Sequence, residues 1–268
     1  TMTQTGLPAR RAAHHMLQQI TTEGRLLSEL MGSGALDHLD PADRATAQRL
    51  ATESLRALDR TDRMLKPLMK KAPPVFVQNA LRVAVLELVS GGAAHGVVNA
   101  YVDIVGRNKR TQAMKGLTNA VLRKVDAAKD TWNKRPVPIT PSWLRQPLVA
   151  AWGRKAMDGI EKAHFAGAPL DLTAKSNPEA VAKAVGGEVL PTGSIRIQNA
   201  SQVSKLPGFA DGDWWVQDAA AAIPVSLLGD VTGQKVLDLC AAPGGKTLQL
   251  AAKGADVTAV DLSESRMK

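Results

Sequence analysis

The chain has 268 residues, with 34 Lys/Arg against 25 Asp/Glu, a formal net charge of +9, 44% hydrophobic residues and only 3% aromatic ones. At roughly 150 residues per domain this allows one to two domains, or more if they are small, and the core must be mostly Ala, Leu and Val. No apolar run of about 18 residues occurs, which argues against a membrane-spanning helix. Residues 1–11 are polar then basic, so no secretory signal is expected. The lone cysteine, Cys240, excludes an internal disulfide and suits a reducing cytoplasm. The five histidines lack metal-ligand spacing, so no metal site is expected.

The positive charge is unevenly placed. Residues 1–135 hold 21 Lys/Arg and 12 Asp/Glu, whereas residues 136–268 hold 13 of each. The excess is densest at Arg107, Lys109, Arg110, Lys115, Arg123, Lys124, Lys129, Lys134 and Arg135. Such asymmetry points to a polyanionic partner, with nucleic acid first. A solvated basic helix face is the competing reading.

Residues 8–31 read as a helix. Pro8 suits its first turn, Ala12, Met16, Leu17 and Ile20 share a face, and Gly32 and Gly34 end it. Asp40-Pro41 opens a second helix, which Ala45, Leu50, Leu55 and Leu58 carry to about Asp59. A shorter helix is expected over 62–70. Pro73-Pro74 then breaks the chain. Residues 76–90 form a strongly apolar, central helix through Leu81, Val85, Leu86, Leu88 and Val89. Gly91-Gly92 is another break, and two further helices follow at 97–106 and 115–128. No strand pattern interrupts residues 1–135, which therefore read as an all-α bundle.

The proline-rich stretch Arg135-Pro136-Val137-Pro138-Ile139-Thr140-Pro141 is extended and stiff, and is the best domain boundary in the sequence. Residues 142–166 read as a helix with Trp143 and Trp152 as bulky anchors. A strand at 170–173, a helix at 178–185 and strands at 188–190 and 195–197 follow, which makes 142–211 a small α/β module. From Gly212, residues 214–218 form a short apolar edge and 219–228 a helix that Pro224 disturbs. Residues 212–268 then start a doubly wound, Rossmann-like sheet. The expected architecture is multidomain: an all-α helical bundle, a small α/β module and the first part of an α/β sheet.

The chemistry sits in that last part. Val236-Leu237-Asp238-Leu239-Cys240-Ala241-Ala242-Pro243-Gly244-Gly245-Lys246-Thr247 reads as a strand, a glycine turn and a helix start. Glycine lets backbone approach a ligand, and the helix start offers free N–H groups. After one helix a second strand, Val257-Thr258-Ala259-Val260-Asp261, ends on an acid at the spacing that suits ribose hydroxyls. A P-loop needs glycine where Cys240 stands, and a dinucleotide loop needs three spaced glycines where only Gly244-Gly245 occurs. What remains is a nucleoside ligand without pyrophosphate, and S-adenosylmethionine fits best.

The string from Asp238 to Thr247 resembles the cofactor motif of RNA 5-methylcytosine methyltransferases of the RsmB/NOP (Sun/Fmu) family. Arg10-Arg11-Ala12-Ala13-His14, Asp43-Arg44, the helix from Leu81 to Leu88, Ala94-His95-Gly96-Val97-Val98-Asn99 and the run from Lys115 to Arg123 resemble a NusB-like RNA-binding domain. The resemblance implies a NusB-like domain over 1–135, a linker module over 142–211 and the incomplete N-terminal part of a methyltransferase domain over 212–268. It implies that Cys240, Ala241, Ala242, Pro243, Gly244, Gly245 and Lys246 line the cofactor's methionine end and that Asp261 holds its ribose. It raises Arg107, Lys109, Arg110 and Arg123 to RNA contacts. The expected activity is methylation of carbon 5 of a cytosine in 16S rRNA by a cytoplasmic monomer.

In the family, one cysteine thiolate adds to carbon 6 of the base, a second cysteine helps release product, and an Asp-Ala-Pro-Cys motif contacts the base. None of these occurs here, so no catalytic residue is assigned and the chain is expected to be inactive as a fragment. Cys240 reads as a small apolar packing residue at the end of a buried strand. Asp238 is expected to pair with the loop, His95 to cap the next helix, and Trp214-Trp215 to pack between modules rather than stack on a base. The competing function is a non-catalytic NusB-like RNA-binding or antitermination-type module. A third reading is a methyltransferase of this fold acting on another substrate.

Overall fold

A computed structural model describes residues 6–198 and 203–267. Residues 1–5 of the segment read as carrying no secretory signal, and residues 199–202 of the expected 142–211 module, lie outside the described residues. The chain divides into two compact units, Thr1–Gly167 and Ala168–Lys268.

In the first unit, α1 (Leu7–Glu23) and α2 (Leu27–Gly32) replace the single helix expected over 8–31. The interruption falls at Gly24, which caps α1 with a left-handed φ of 70° that glycine adopts without strain. Just before it, Thr21 and Thr22 bond back to the carbonyls of Leu17 and Gln18. Asp40 caps α3 (Pro41–Arg56) as expected, its Oδ1 accepting the N–H groups of Ala42 and Asp43 at 3.0 and 2.9 Å. The chain turns at Ala57, so Leu58 opens α4 (Leu58–Leu65) instead of ending α3. A 3-10 turn, Lys66–Leu68, follows.

Next come α5 (Val75–Val89), α6 (Ala94–Arg107) and α7 (Lys115–Ala127), all close to their expected spans. Helix α5 is central, as its sequence implied. It packs against α1, α3, α4, α6 and α7 and buries Leu81, Val85 and Leu88. Glu87 on α5 accepts Arg10 Nε at 2.9 Å and the Tyr101 hydroxyl at 3.3 Å. That carboxylate links α1, α5 and α6 around the fully buried Tyr101 ring.

Helix α8 (Ser142–Ala166) goes with this unit, so the division falls at Gly167 and not in the proline-rich stretch. The reason is hydrogen bonding. Prolines donate nothing, but the stretch offers carbonyls, and arginines of α4 take them. Arg60 donates to the Arg135 carbonyl, and Arg63 Nη2 to that of Val137 at 2.8 Å. Thr140 N–H donates to Glu161 at 2.8 Å, and Phe165 packs on the core. The Arg60 guanidinium lies 4.7 Å from the Trp132 ring centre and 4.8 Å from that of Phe165. The expected anchors of α8 are reversed: Trp143 and Trp152 are 75% and 71% exposed. Gly153 kinks the helix at φ 80°; in its later turns Met157 and Glu161 are buried and Phe165 packs on the core of the bundle.

The second unit begins with β1 (Leu170–Ala174), α9 (Pro178–Val185), β2 (Glu188–Val189), β3 (Ile195–Ile197) and β4 (Trp214–Val216). The sheet order is β2-β3-β1-β4, antiparallel throughout. Strand β4 therefore completes the small sheet, with Ala174 opposite Trp214, instead of opening the segment expected from Gly212. Trp214 is buried in the core of this small sheet, with Leu172 and Ile195, and donates Nε1 to the Pro207 carbonyl, so it packs within the module and not between modules. The buried Asp171 accepts both Nε and Nη2 of Arg196 at 2.8 Å and the Ala219 N–H at 3.1 Å. Ala219 begins α10 (Ala219–Ser226). The unit ends with β5 (Lys235–Asp238), α11 (Gly245–Ala252), β6 (Asp256–Ala259) and α12 (Glu264–Met267).

Candidate functional site

Strands β5 and β6 run parallel, with Asp238 opposite Ala259 and α11 as the crossover. The two segments stay joined past the ladder: Val260 N–H donates to the Asp238 carbonyl at 2.8 Å and Ala241 N–H to the Val260 carbonyl at 3.1 Å. The glycine loop is thus held at the carboxyl ends of two parallel strands, where open α/β sheets bind ligands. Gly244, at φ 103° and ψ 1°, turns the chain into α11. The first turn of α11, from Gly245, leaves N–H groups without intrahelical partners.

Two carboxylates fasten this loop. Asp238 Oδ2 accepts the Thr247 hydroxyl at 2.7 Å, fixing the first turn of α11 to the strand it follows, and its Oδ1 takes the Cys240 N–H at 3.4 Å, the backbone pairing expected of it. Asp261 lies just past β6. Its Oδ2 accepts the Ala242 N–H at 2.9 Å and its Oδ1 the Ser263 N–H at 2.8 Å. These bonds, Ser263 first and Ala242 second, hold the Asp261 carboxyl below the usual carboxylate range. A carboxylate offers about four lone-pair sites, so acceptor capacity remains after two backbone bonds. Arg266 Nη2 donates to the Ala242 carbonyl at 3.1 Å.

The residues from Cys240 to Lys246 and Asp261 thus gather around one loop. Within it, Ala241 is buried, Gly245 is partly covered, and Cys240, Pro243 and Lys246 are exposed. The exposure of Cys240 corrects its reading as a packing residue. Among the described residues β5 pairs only with β6, and Leu237 and Leu239 beside it are exposed as well.

Sequence reasoning missed the support beneath the loop. Gln217 Nε2 donates to Gln249 Oε1 at 3.0 Å, and Gln249 Nε2 to the Ala222 carbonyl at 3.0 Å. Gln217 Oε1 accepts the Thr173 hydroxyl and Trp215 Nε1. Both glutamines are buried, and Gln217 lies against Gly245, where an added Cβ would come within 3.4 Å of it. Buried amides need such partners. The only signal was Gln217 following an apolar run and Gln249 on the apolar face of α11.

The four arginines and lysines expected to meet RNA do not form one cluster. Arg107 ends α6 and pairs with Asp103 at 2.8 Å, while Lys109 and Arg110 follow it, exposed. Arg123 on α7 instead lines a groove with His95, Asn99 and Asp126 near the start of α6. A helix of 14 residues spans about 21 Å, which separates the two places. His95 does not cap α6 but bonds to Asn99 one turn on.

The first unit is thus a helical bundle, and the second ends in a parallel strand–loop–helix–strand unit that holds the glycine motif. Residues 7–127 match the NusB family, and residues 225–268 match the family of 16S rRNA methyltransferase RsmB/F. Among curated proteins, the chain is 31% identical to ribosomal RNA small subunit methyltransferase B of Serratia proteamaculans, over 97% of this chain and 65% of that protein. It is 32% identical to the protein of the same name from Pseudomonas putida, over 97% of this chain and 64% of that one. The chain thus spans just under two thirds of the length of these relatives. The crystal structure of PH0851 aligns with a TM-score of 0.65 at 19% identity, covering all of this chain and 65% of that one, and shares its fold.

Proposed function

We propose that this chain carries the RNA-binding domain and the first part of the cofactor site of an S-adenosylmethionine-dependent enzyme. That enzyme methylates carbon 5 of a cytosine in 16S rRNA, in the cytoplasm. The observation that carries the reading is the hydrogen bond from Ala242 N–H to Asp261, within the stretch similar to the RsmB/F family. It ties the glycine loop to the acid just past the second parallel strand, which favours a Rossmann-like methyltransferase sheet. The proposal keeps the order read from sequence, RNA-binding bundle first and cofactor loop last, with the boundary moved to Gly167 and β4 joined to the small sheet.

The residues fit the cofactor. Gly244 and Gly245 leave room for close approach, the N–H groups that start α11 and the exposed Lys246 suit a carboxylate, and Asp261 retains lone pairs for ribose hydroxyls. When bound, S-adenosylmethionine supplies an electrophilic methyl group. The chain's own part is to hold and orient: Asp238 fixes Thr247, Asp261 fixes Ala242, and Gln217 with Gln249 supports Gly245. Cys240 is placed in the cradle, and no catalytic role is assigned to it.

Calorimetry with S-adenosylmethionine tests the reading on this chain and on one extended to its relatives' length. Binding by the longer chain that Asp261→Ala weakens supports it. Unchanged affinity in that variant removes the ribose assignment.

A further inference from the structure

We propose that a small pocket within the second unit, between the polar face of the four-stranded sheet and α11, holds one phosphate group. It depends on neither the methyl donor nor the basic residues of the helical bundle. The pocket holds about 150 Å³. Drug-sized ligands need about 300 Å³ or more, so this one takes a single small group and not a nucleoside.

Strand alternation builds its wall. Leu172, Ile195 and Trp214 turn to one face of the sheet and form an apolar core with Ala182 and Val185 of α9. Thr173 and Trp215, opposite each other on β1 and β4, turn to the other face. Ser194 comes one step beyond the Leu172–Ile195 pair, which sets it on that same face beside Thr173. The Thr173 hydroxyl and Trp215 Nε1 both donate to Gln217, so their protons are already taken. Ser194 differs. The residue is 2% exposed, yet its hydroxyl has no partner among the described residues. That oxygen is not sealed in: Ser194 lines the pocket and its hydroxyl opens on it. A hydroxyl rotates to suit its acceptor. Left unpaired in so buried a residue it costs free energy, which an accepting ligand recovers.

The other lining groups set the ligand's charge. Lys175, just after β1, and Lys253, which caps α11, both line the pocket, and no carboxylate does. Both lysines are exposed and have no ion pair among the described residues. Asp230 feels the charge of Lys253 without bonding to it. The carbonyl end of α11 does not oppose an anion as a bare negative pole. The N–H groups of Lys253, Gly254 and Ala255 take the carbonyls of Gln249, Ala251 and Leu250. Two ammonium groups and the Ser194 hydroxyl, with that of Thr192 at the rim, call for a compact anion rich in acceptor oxygens. A phosphate offers these donors more oxygens than a carboxylate does, and lysine binds it as a point charge.

Such a phosphate can belong to an RNA backbone or to a free phosphate or monoester. Helix α11 has eight residues and so spans about 12 Å. A backbone phosphate seated by Lys253 would therefore lie one short helix away from Gly245 and the glycine loop.

Trp215 supplies the signal for a test, because it lines the pocket and the chain has only five tryptophans. In proton–nitrogen NMR spectra of the whole chain, Trp215→Phe identifies its indole peak. Inorganic phosphate should move that peak along a saturable curve, sodium chloride of equal ionic strength should not, and the peaks of Trp143 and Trp152 should stay in place. Lys175→Gln combined with Lys253→Gln should abolish the saturable movement; both side chains are exposed, and the remaining indole peaks check that the variant is folded. Ser194→Ala should weaken phosphate binding about tenfold, the loss of one hydrogen bond to a charged group. It should not lower the denaturant midpoint in phosphate-free buffer, and a clear fall would mean that the hydroxyl already has a partner and would remove it from the site. A short single-stranded RNA without terminal phosphates separates the sources. If it moves the Trp215 peak at lower concentration than inorganic phosphate does, the occupant is a backbone phosphate. If phosphate and a nucleoside monophosphate move the peak and the RNA does not, the occupant is a free phosphate or monoester. No saturable movement with any of these, or equal movement in the double lysine variant, overturns the pocket.

Discussion

Asp261 accepts the backbone N–H of Ala242 at 2.9 Å, so the acid just past the second parallel strand also sets the glycine loop that follows the first. One side chain therefore shapes the loop and presents its free lone pairs beside it. Asp261→Asn keeps the shape of the group but removes its charge. In a chain extended to its relatives' length it should weaken S-adenosylmethionine binding less than Asp261→Ala does. Calorimetry reads both, and equal affinity in all three proteins would contradict the assignment.

The Asp171–Arg196 pair is a stability element. Asp171 is 3% exposed and also takes the N–H that starts α10. Asp171→Ala leaves the Arg196 guanidinium and the Ala219 N–H without their acceptor and should lower stability. Denaturant melts of the variant measure it.

The pH dependence of that pair follows from its sign. Hydrogen bonds from Arg196 first, then the Ala219 N–H, hold the Asp171 carboxyl below its ordinary value despite burial. A depressed carboxylate contributes stability that is fully present above the unfolded value of about 3.9 and fades as pH falls through the lower folded value. Denaturant midpoints between neutral pH and pH about 3 should therefore fall less steeply in Asp171→Asn than in wild type.

In the first unit, Tyr101→Phe removes a hydroxyl whose partner Glu87 is still held by Arg10. Its cost should be near that of one hydrogen bond, about 1 kcal/mol. Arg10→Met strands the carboxylate beside a buried ring and should cost at least twice as much. Comparable losses in the two variants would mean that Glu87 does not depend on Arg10.

Charge reversal at Arg107, Lys109 and Arg110 should weaken RNA binding and flatten its salt dependence, by about 0.7 in slope for each phosphate that is no longer neutralised. Arg123→Glu should act separately, since that side chain lines a groove near the other end of α6. An unchanged slope in the triple variant returns those residues to a solvated face.

Much of this was legible in the chain. The helices of the first unit followed from apolar spacing, and the position of α5 followed from its being strongly apolar. The parallel strands and glycine turn followed from a motif whose residue types are dictated by close backbone approach. What was not legible depended on partners far apart in sequence. The proline-rich stretch looked like a free linker because nothing local reveals that Arg60 and Arg63 bind its carbonyls. Strand β4 looked like the start of the last segment because its pairing with β1 lies some forty residues away. The buried pair Gln217 and Gln249 was not legible, because Gln217 comes 32 residues before the amide it bonds. Trp143 and Trp152 misled for the opposite reason: size suggests burial, but a kink at Gly153 decides where the helix touches its neighbours.

Arg60 is a buried residue whose guanidinium lies against two aromatic rings and meets a carbonyl instead of a carboxylate. Salt weakens attraction between exposed charges far more than contacts sheltered from water. The fastening of residues 135–137 to α4 should therefore persist through a high-salt wash that strips polyanions from the exterior lysines.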